Sequence, residues 1–144
     1  MNSDSRFHGS CFCGAVKLTA TGMPVIMGYC HCESCRHWTG GPITEYTLWS
    51  PAQVEVTEGA EHVGTYGKTQ RSHRTWCMKC GGHLMTELPG AGLVDIFAPV
   101  LPELRFAPSL HTHYGESKIR VTDGLPKFKD LPADFGGSGE MLNE

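Results

Sequence analysis

Tyr29-Cys30-His31-Cys32-Glu33-Ser34-Cys35-Arg36-His37-Trp38-Thr39-Gly40 places three thiols, Cys30, Cys32 and Cys35, within six residues. Sulfurs so close in sequence can converge on one soft cation and are too crowded to act as three independent core residues. Zinc takes four tetrahedral ligands, and a site with three protein ligands keeps a fourth position for water or a substrate atom, which separates a catalytic site from a closed structural one. The other four of the seven cysteines fall into two pairs, Cys11-Phe12-Cys13-Gly14 and Cys77-Met78-Lys79-Cys80-Gly81-Gly82. Four sulfurs suffice for one closed site, so the seven divide into four and three.

The C-x-x-C-G-G run is the knuckle form of structural zinc sites: two sulfurs three residues apart can share one ion, and the glycine after the second permits a turn that aims backbone N–H groups at sulfur. A redox C-x-x-C is the competing reading, but that motif opens a helix in a βαβ unit and no parallel α/β pattern surrounds this one. Cys11 and Cys13 alternate so that both side chains share one side of an extended chain, which favours ligation. If they join Cys77 and Cys80, the ion closes a loop of 64 residues. The competing reading is two small buried residues flanking Phe12.

For the triplet, the functional reading is a zinc with an open position, at which a coordinating thiol is deprotonated by the cation. The competing reading is a second structural zinc, with His31, His37 or a more distant histidine completing the shell. His31 sits between two ligands and points away from the ion if the segment is extended. His37 is the better fourth ligand, and an acid/base role is open to it. Arg36 could grip a substrate carboxylate in a bidentate fork or lie on the surface, and Glu33 is the nearest carboxylate available as a base.

Length and composition set the frame. A chain of 144 residues, 40% hydrophobic and 19% charged, is globular and of single-domain size. Net charge is −3, and the 12 Lys and Arg are scattered without a basic block, which argues against a nucleic-acid partner. No apolar run approaches the ~20 residues needed to cross a bilayer, and the polar start carries no signal peptide, so a cytoplasmic protein is expected. There thiols stay reduced, and clustered cysteines hold metal more often than they pair.

Eighteen glycines and nine prolines cut the chain into short pieces, which predicts strands and no long helix. Alternation predicts strands over residues 15–20, 43–49, 54–57, 83–88 and 93–97, and an apolar run over 23–29 that leads into Cys30. A hairpin is expected around Gly67-Lys68, and about one helical turn between Cys35 and Gly40. Residues 111–114 and 119–121 are further strand candidates. The Pro-rich 99–109 segment reads as a loop that packs Leu101, Leu104 and Phe106. Residues 1–8 read as a flexible leader and residues 133–144 as a frayed tail.

Three blocks, Gly9-Ser10-Cys11-Phe12-Cys13-Gly14-Ala15-Val16, Cys30 through Gly40, and Cys77 through Leu84, resemble the signature blocks of the glutathione-dependent formaldehyde-activating enzyme and centromere protein V family, and hold all seven cysteines. The resemblance covers residues 9–132 as one zinc-binding domain, with Asp123-Gly124-Leu125-Pro126 similar to the family's closing turn. It implies an all-β fold of small antiparallel sheets around zinc, of the β-tent type. It also implies two zinc ions: a structural one on Cys11, Cys13, Cys77 and Cys80, and a catalytic one on Cys30, Cys32 and Cys35. The implied activity is that of a carbon–sulfur lyase, the type reaction joining formaldehyde and glutathione into S-hydroxymethylglutathione. A thiol such as glutathione is then the partner. The alternative is a non-catalytic zinc module that binds protein or senses thiols.

Overall fold

The computed structural model describes residues 4–144 and is built almost wholly from short strands. In chain order they are β1 (Arg6–Ser10), β2 (Lys17–Thr21), β3 (Ile26–Cys30), β4 (Thr44–Trp49), β5 (Val54–Glu58), β6 (Val63–Thr69), β7 (Ser72–Cys77), β8 (His83–Leu88), β9 (Leu93–Phe97), β10 (His111–Thr112), β11 (Lys127–Phe128) and β12 (Met141–Leu142). One α-helix, α1 (Glu33–Thr39), lies between β3 and β4. The all-β expectation is met. The chain forms two compact units, the first comprising residues up to Ile26 and Thr47–Phe106, the second Met27–Tyr46 and Ala107–Glu144.

In the first unit, β1, β2 and β5 form an antiparallel sheet in the order β1-β2-β5, and β6 to β9 form an antiparallel meander. Val16, Leu18 and Ala20, the apolar phase read from the sequence, are buried together with Leu84, Ile96 and Leu101. Trp49 is fully buried at the end of β4. Its indole N–H donates to Thr47 Oγ1 at 2.8 Å, and that hydroxyl donates to the Ile96 carbonyl at 2.7 Å, so the ring's polar atom is satisfied inside the core. The loop after β9 buries Leu101 and Leu104 as expected, and leaves Phe106 partly exposed.

The leader reading of residues 1–8 needs correcting over its described part. Arg6, Phe7 and His8 are in β1, paired with Thr21, Ala20 and Thr19. Phe7 packs 6.3 Å from Trp49, and a Cβ on Gly9 would meet the Val100 carbonyl oxygen at 2.2 Å. Only glycine permits that approach, so the strand is fixed from both sides. The hairpin turn is also displaced. Thr69 pairs with Ser72, putting Gln70 and Arg71 at the turn, while Gly67-Lys68 lies in a register shift that adds one residue to β6.

In the second unit the strand order is β12-β11-β10-β3-β4. Here the antiparallel expectation fails, because β10 runs parallel to both β3 and β11. Parallel pairing needs a long connection, and the chain between Tyr29 and its partner His111 is long enough for any crossover. Residues 119–121 form no strand. Helix α1 starts earlier than the spacing suggests: Cys32 is its N-cap, and Gly40, left-handed at φ 78°, closes it with an N–H to the Arg36 carbonyl.

The frayed-tail reading of 133–144 is also overturned. Met141–Leu142 pairs with Lys127–Phe128, and the Glu144 carboxylate accepts from the Asp123 and Gly124 N–H groups at 2.7 and 2.9 Å and from Lys127 Nζ at 2.9 Å. Hydrogen bonds and charge hold this segment rather than apolar burial, so its hydrophobic pattern was silent.

Candidate metal-binding sites

Cys11 leaves β1 in a turn closed by its N–H to the Val16 carbonyl and by the Gly14 N–H to its own carbonyl. Cys77 ends β7, where its N–H bonds the Gly82 carbonyl and Gly81 N–H returns to the Cys77 carbonyl at 2.7 Å. These two turns bring Cys11, Cys13, Cys77 and Cys80 together, with every sulfur within 4.8 Å of the others. Cys11 and Cys13 sulfurs are 3.7 Å apart, and Cys13 and Cys77 sulfurs 3.9 Å. Zinc–sulfur bonds of about 2.3 Å at tetrahedral angles require sulfur–sulfur edges of about 3.8 Å. All seven cysteines are free thiols.

Backbone donors face these sulfurs: Val16 N–H to Cys11 at 3.3 Å, Lys79 N–H to Cys77 at 3.3 Å and Gly82 N–H to Cys80 at 3.4 Å. Burial would raise the Cys11 thiol, but the Val16 donor and the neighbouring sulfurs outweigh it and bring it down to about 6. For Cys13 a hydrogen bond from Ala15 lowers the thiol, yet desolvation and the adjacent sulfurs push it up to about 11. Four thiols this close cannot all ionise unless a cation joins them. The cluster therefore fits a divalent metal.

In the second unit Cys30 ends β3, Cys32 caps α1 and Cys35 lies in its first turn, the three sulfurs within 4.8 Å of one another. Cys35 N–H donates to the Cys32 sulfur at 3.3 Å. Hydrogen bonds from the Cys30 and Cys35 thiols drive Cys32 down to about 2, while the Cys32 and Cys35 sulfurs push Cys30 well up. Cys30 is buried, whereas Cys32 and Cys35 are partly open to solvent. Among the described residues, no histidine or carboxylate completes this group.

His31 turns away from the thiols, as an extended segment requires. It is fully buried, and its Nε2 lies 2.8 Å from His111 Nδ1. His111 Nε2 in turn meets Asp123 Oδ2 at 2.7 Å, and Asp123 Oδ1 meets Lys127 Nζ at 2.6 Å. A carboxylate only accepts, so the network assigns the proton to His111 Nε2, and His31 donates from Nε2. Burial first, then the His111 and Lys127 charges, lower His31 to about 4. Burial would raise Asp123, but the Lys127 and His111 hydrogen bonds hold it well below the carboxylate range.

The candidates flanking the triplet fare differently. His37 is exposed on α1, outside the thiol group. Arg36 is not poised as a fork: Nε donates to the His31 carbonyl and Nη2 to the Glu116 carbonyl, both at 3.0 Å. Glu33 is exposed, and its backbone N–H donates to Glu116 Oε1 at 3.0 Å. Sequence reasoning missed His111, His113, Glu116 and Lys127. The one local signal was the alternating His111-Thr112-His113 run, which reads as a strand before it reads as a site.

Two sulfur clusters lie at the ends of short strands, one of four thiols and one of three, and each could hold a metal ion, with a donor set compatible with zinc. Residues 6–116 match the family model described as glutathione-dependent formaldehyde-activating enzyme, and the chain belongs to that family. It is 31% identical over 76 residues to an uncharacterised lyase of Schizosaccharomyces pombe, the match covering 53% of each protein. The chain thus spans about half the length of that curated relative. The crystal structure of a Rhodobacter sphaeroides protein superposes with a TM-score of 0.55 at 20% identity, covering 68% of this chain and 90% of that one, which supports the fold. No helix of the described residues is long and apolar enough to cross a membrane.

Proposed function

We propose that the protein is a zinc-dependent carbon–sulfur lyase that makes and breaks a thiol adduct of an aldehyde, with glutathione and formaldehyde the leading pair. The observation that carries this reading is the inequality of the clusters, four mutually close sulfurs in one and three in the other, with no fourth ligand atom among the described residues. Cys11, Cys13, Cys77 and Cys80 would hold a structural zinc, and Cys30, Cys32 and Cys35 a catalytic one. When bound at the triplet, zinc would supply a Lewis acid that stabilises an incoming thiol as its anion.

The chain's own contribution is access and placement. Cys30 is buried at the end of β3, while Cys32 and Cys35 face partly outward, so a small thiol reaches the triplet from their side. Cys35 N–H orients the Cys32 sulfur, and Arg36 ties the loop carbonyl of His31 to that of Glu116, so the three thiols are held on a fixed frame. Seven free thiols suit a reducing compartment such as the cytoplasm.

The reading is tested by following exchange between formaldehyde and glutathione by NMR with the zinc-loaded protein, against a panel of other thiols. Acceleration by glutathione or a close analogue is expected. An unchanged rate across the panel would leave a binding or thiol-sensing module instead.

A further inference from the structure

Among the described residues the Cys30, Cys32 and Cys35 thiol group itself includes no side chain that moves a proton: His31 is committed to His111, and the exposed Glu33 and His37 lie outside the group. Adding a thiol to an aldehyde needs such a group. The thiol must give up its proton, and the alkoxide formed at the former carbonyl must receive one.

Thr112 pairs with Cys30 in the parallel β3–β10 ladder, and His31 N–H donates to the Thr112 carbonyl at 3.1 Å. The next residue, His113, is the sole non-glycine residue with positive φ among those described, at φ 54° and ψ 35°. Such a conformation is strained and is kept where surrounding structure enforces it. Here His113 N–H is held by the Asp130 carbonyl at 2.7 Å, and its carbonyl by Glu116 N–H at 3.0 Å. The turn presents the ring, 30% exposed, with Nδ1 at 3.3 Å from Glu116 Oε2. The other oxygen of that carboxylate accepts from Glu33 N–H, the residue directly after Cys32. One carboxylate therefore spans from the start of α1, one residue after Cys32, to the His113 ring.

We propose that His113 is the acid/base group of the triplet site and that Glu116 is its positioning residue. This rests on the thiol–aldehyde reading above. Glu116 Oε2 lies 3.3 Å from Nδ1, so the carboxylate favours the ring proton on that side and Nε2 is the working atom. Nε2 takes the proton of the incoming thiol. The sulfur pair then forms the S–C bond as the C=O π pair moves onto oxygen, and Nε2–H returns the same proton to that oxygen. Histidine ends as it began, and no net proton, oxidant or reductant is required. Cleavage runs the steps in reverse. The charged groups around the ring are Glu116 on its own turn, Asp130 beyond β11, Cys32, and Arg36 through its bond to the Glu116 carbonyl.

The test counts protons. Glutathione is titrated into zinc-loaded protein near neutral pH by calorimetry in two buffers of different ionisation enthalpy, alongside the formaldehyde exchange measurement. His113→Gln is expected to keep its zinc but to release nearly one more proton per thiol bound than the natural protein. Its exchange should slow roughly 10²- to 10⁴-fold and recover in part with added imidazole. Glu116→Gln, which can still accept from Glu33 N–H, should slow turnover with little change in KM. Equal proton release by His113→Gln with exchange intact would overturn the assignment while leaving the lyase reading standing. A proton difference without any acceleration of exchange by the natural protein would leave His113 in place and sink the reaction. Failure of glutathione to bind would sink both.

Discussion

Residue by residue, the proposed function divides the cysteines into two kinds of work, and substitution tests the division. Cys77 is buried and Cys80 closes the Gly81-Gly82 knuckle, so Cys80→Ser should cost roughly 3 kcal/mol or more as the four-sulfur site loses its ion, read from a chemical denaturation midpoint. Cys32→Ser should fold with little loss, because Cys32 is partly exposed and serine still caps α1, yet bind one zinc fewer and lose thiol exchange. Similar behaviour of the two variants would refute the division. Arg36 carries the contrary lesson. Its residue type suits a carboxylate substrate, but two backbone carbonyls have already taken the edge such a substrate would use.

At the scale of elements, the short β11 and β12 strands depend on a charge cluster rather than on apolar area. Lys127 is fully buried with three partners, Asp123, Glu144 and the Leu125 carbonyl. Burial alone would lower its pKa, but the two carboxylates raise it. Glu144 in turn is lowered, chiefly by the Lys127 hydrogen bond, and Asp123 is lowered too. Carboxyl groups with depressed folded values stabilise the protein above their ordinary pKa near 4, and that contribution is lost as pH falls through the folded values. Lys127, being raised, contributes at every pH below its ordinary value and does not set the acid limit. Stability should therefore hold from about pH 7 to 5 in respect of this cluster and fall below about pH 4, as followed by urea midpoints. Glu144→Gln should lower the urea midpoint at neutral pH and flatten that acid limb. In the first unit, Trp49→Ala should cost about 3–5 kcal/mol, because the cavity would sit where the Thr47 hydroxyl and Phe7 now meet the indole, and a thermal unfolding series reports it.

For the whole molecule, the expected metal stoichiometry is two zinc per chain, each held within one unit. A chelator should remove the ion of the three-sulfur site first, abolishing thiol exchange while circular dichroism stays native. Only removal of the second ion should lower the denaturation midpoint, since four-sulfur closure joins Cys13 to Cys77 across 64 residues. Simultaneous loss of both ions and of structure would contradict separate roles.

Much of this was legible in the chain itself, for a local reason. The C-x-C and C-x-x-C spacings, the glycines that follow them and the alternation of Val16, Leu18 and Ala20 are properties of residues a few positions apart, so they fix knuckles, strands and the division of sulfur without reference to the fold. The family resemblance rested on the same blocks, and the match over residues 6–116 agrees with it. The surroundings of the triplet were not legible, because they are made by distant pairings: Thr112 with Cys30, Glu116 with Glu33, Glu144 with Lys127. A parallel ladder between strands about eighty residues apart leaves no periodic trace, and hydrogen bonds and ion pairs that tie down a polar tail leave no hydrophobic one. The sequence thus determined which atoms could bind metal, and the tertiary structure alone decided which distant residues pair beside them, since that depends on register across space rather than on spacing along the chain.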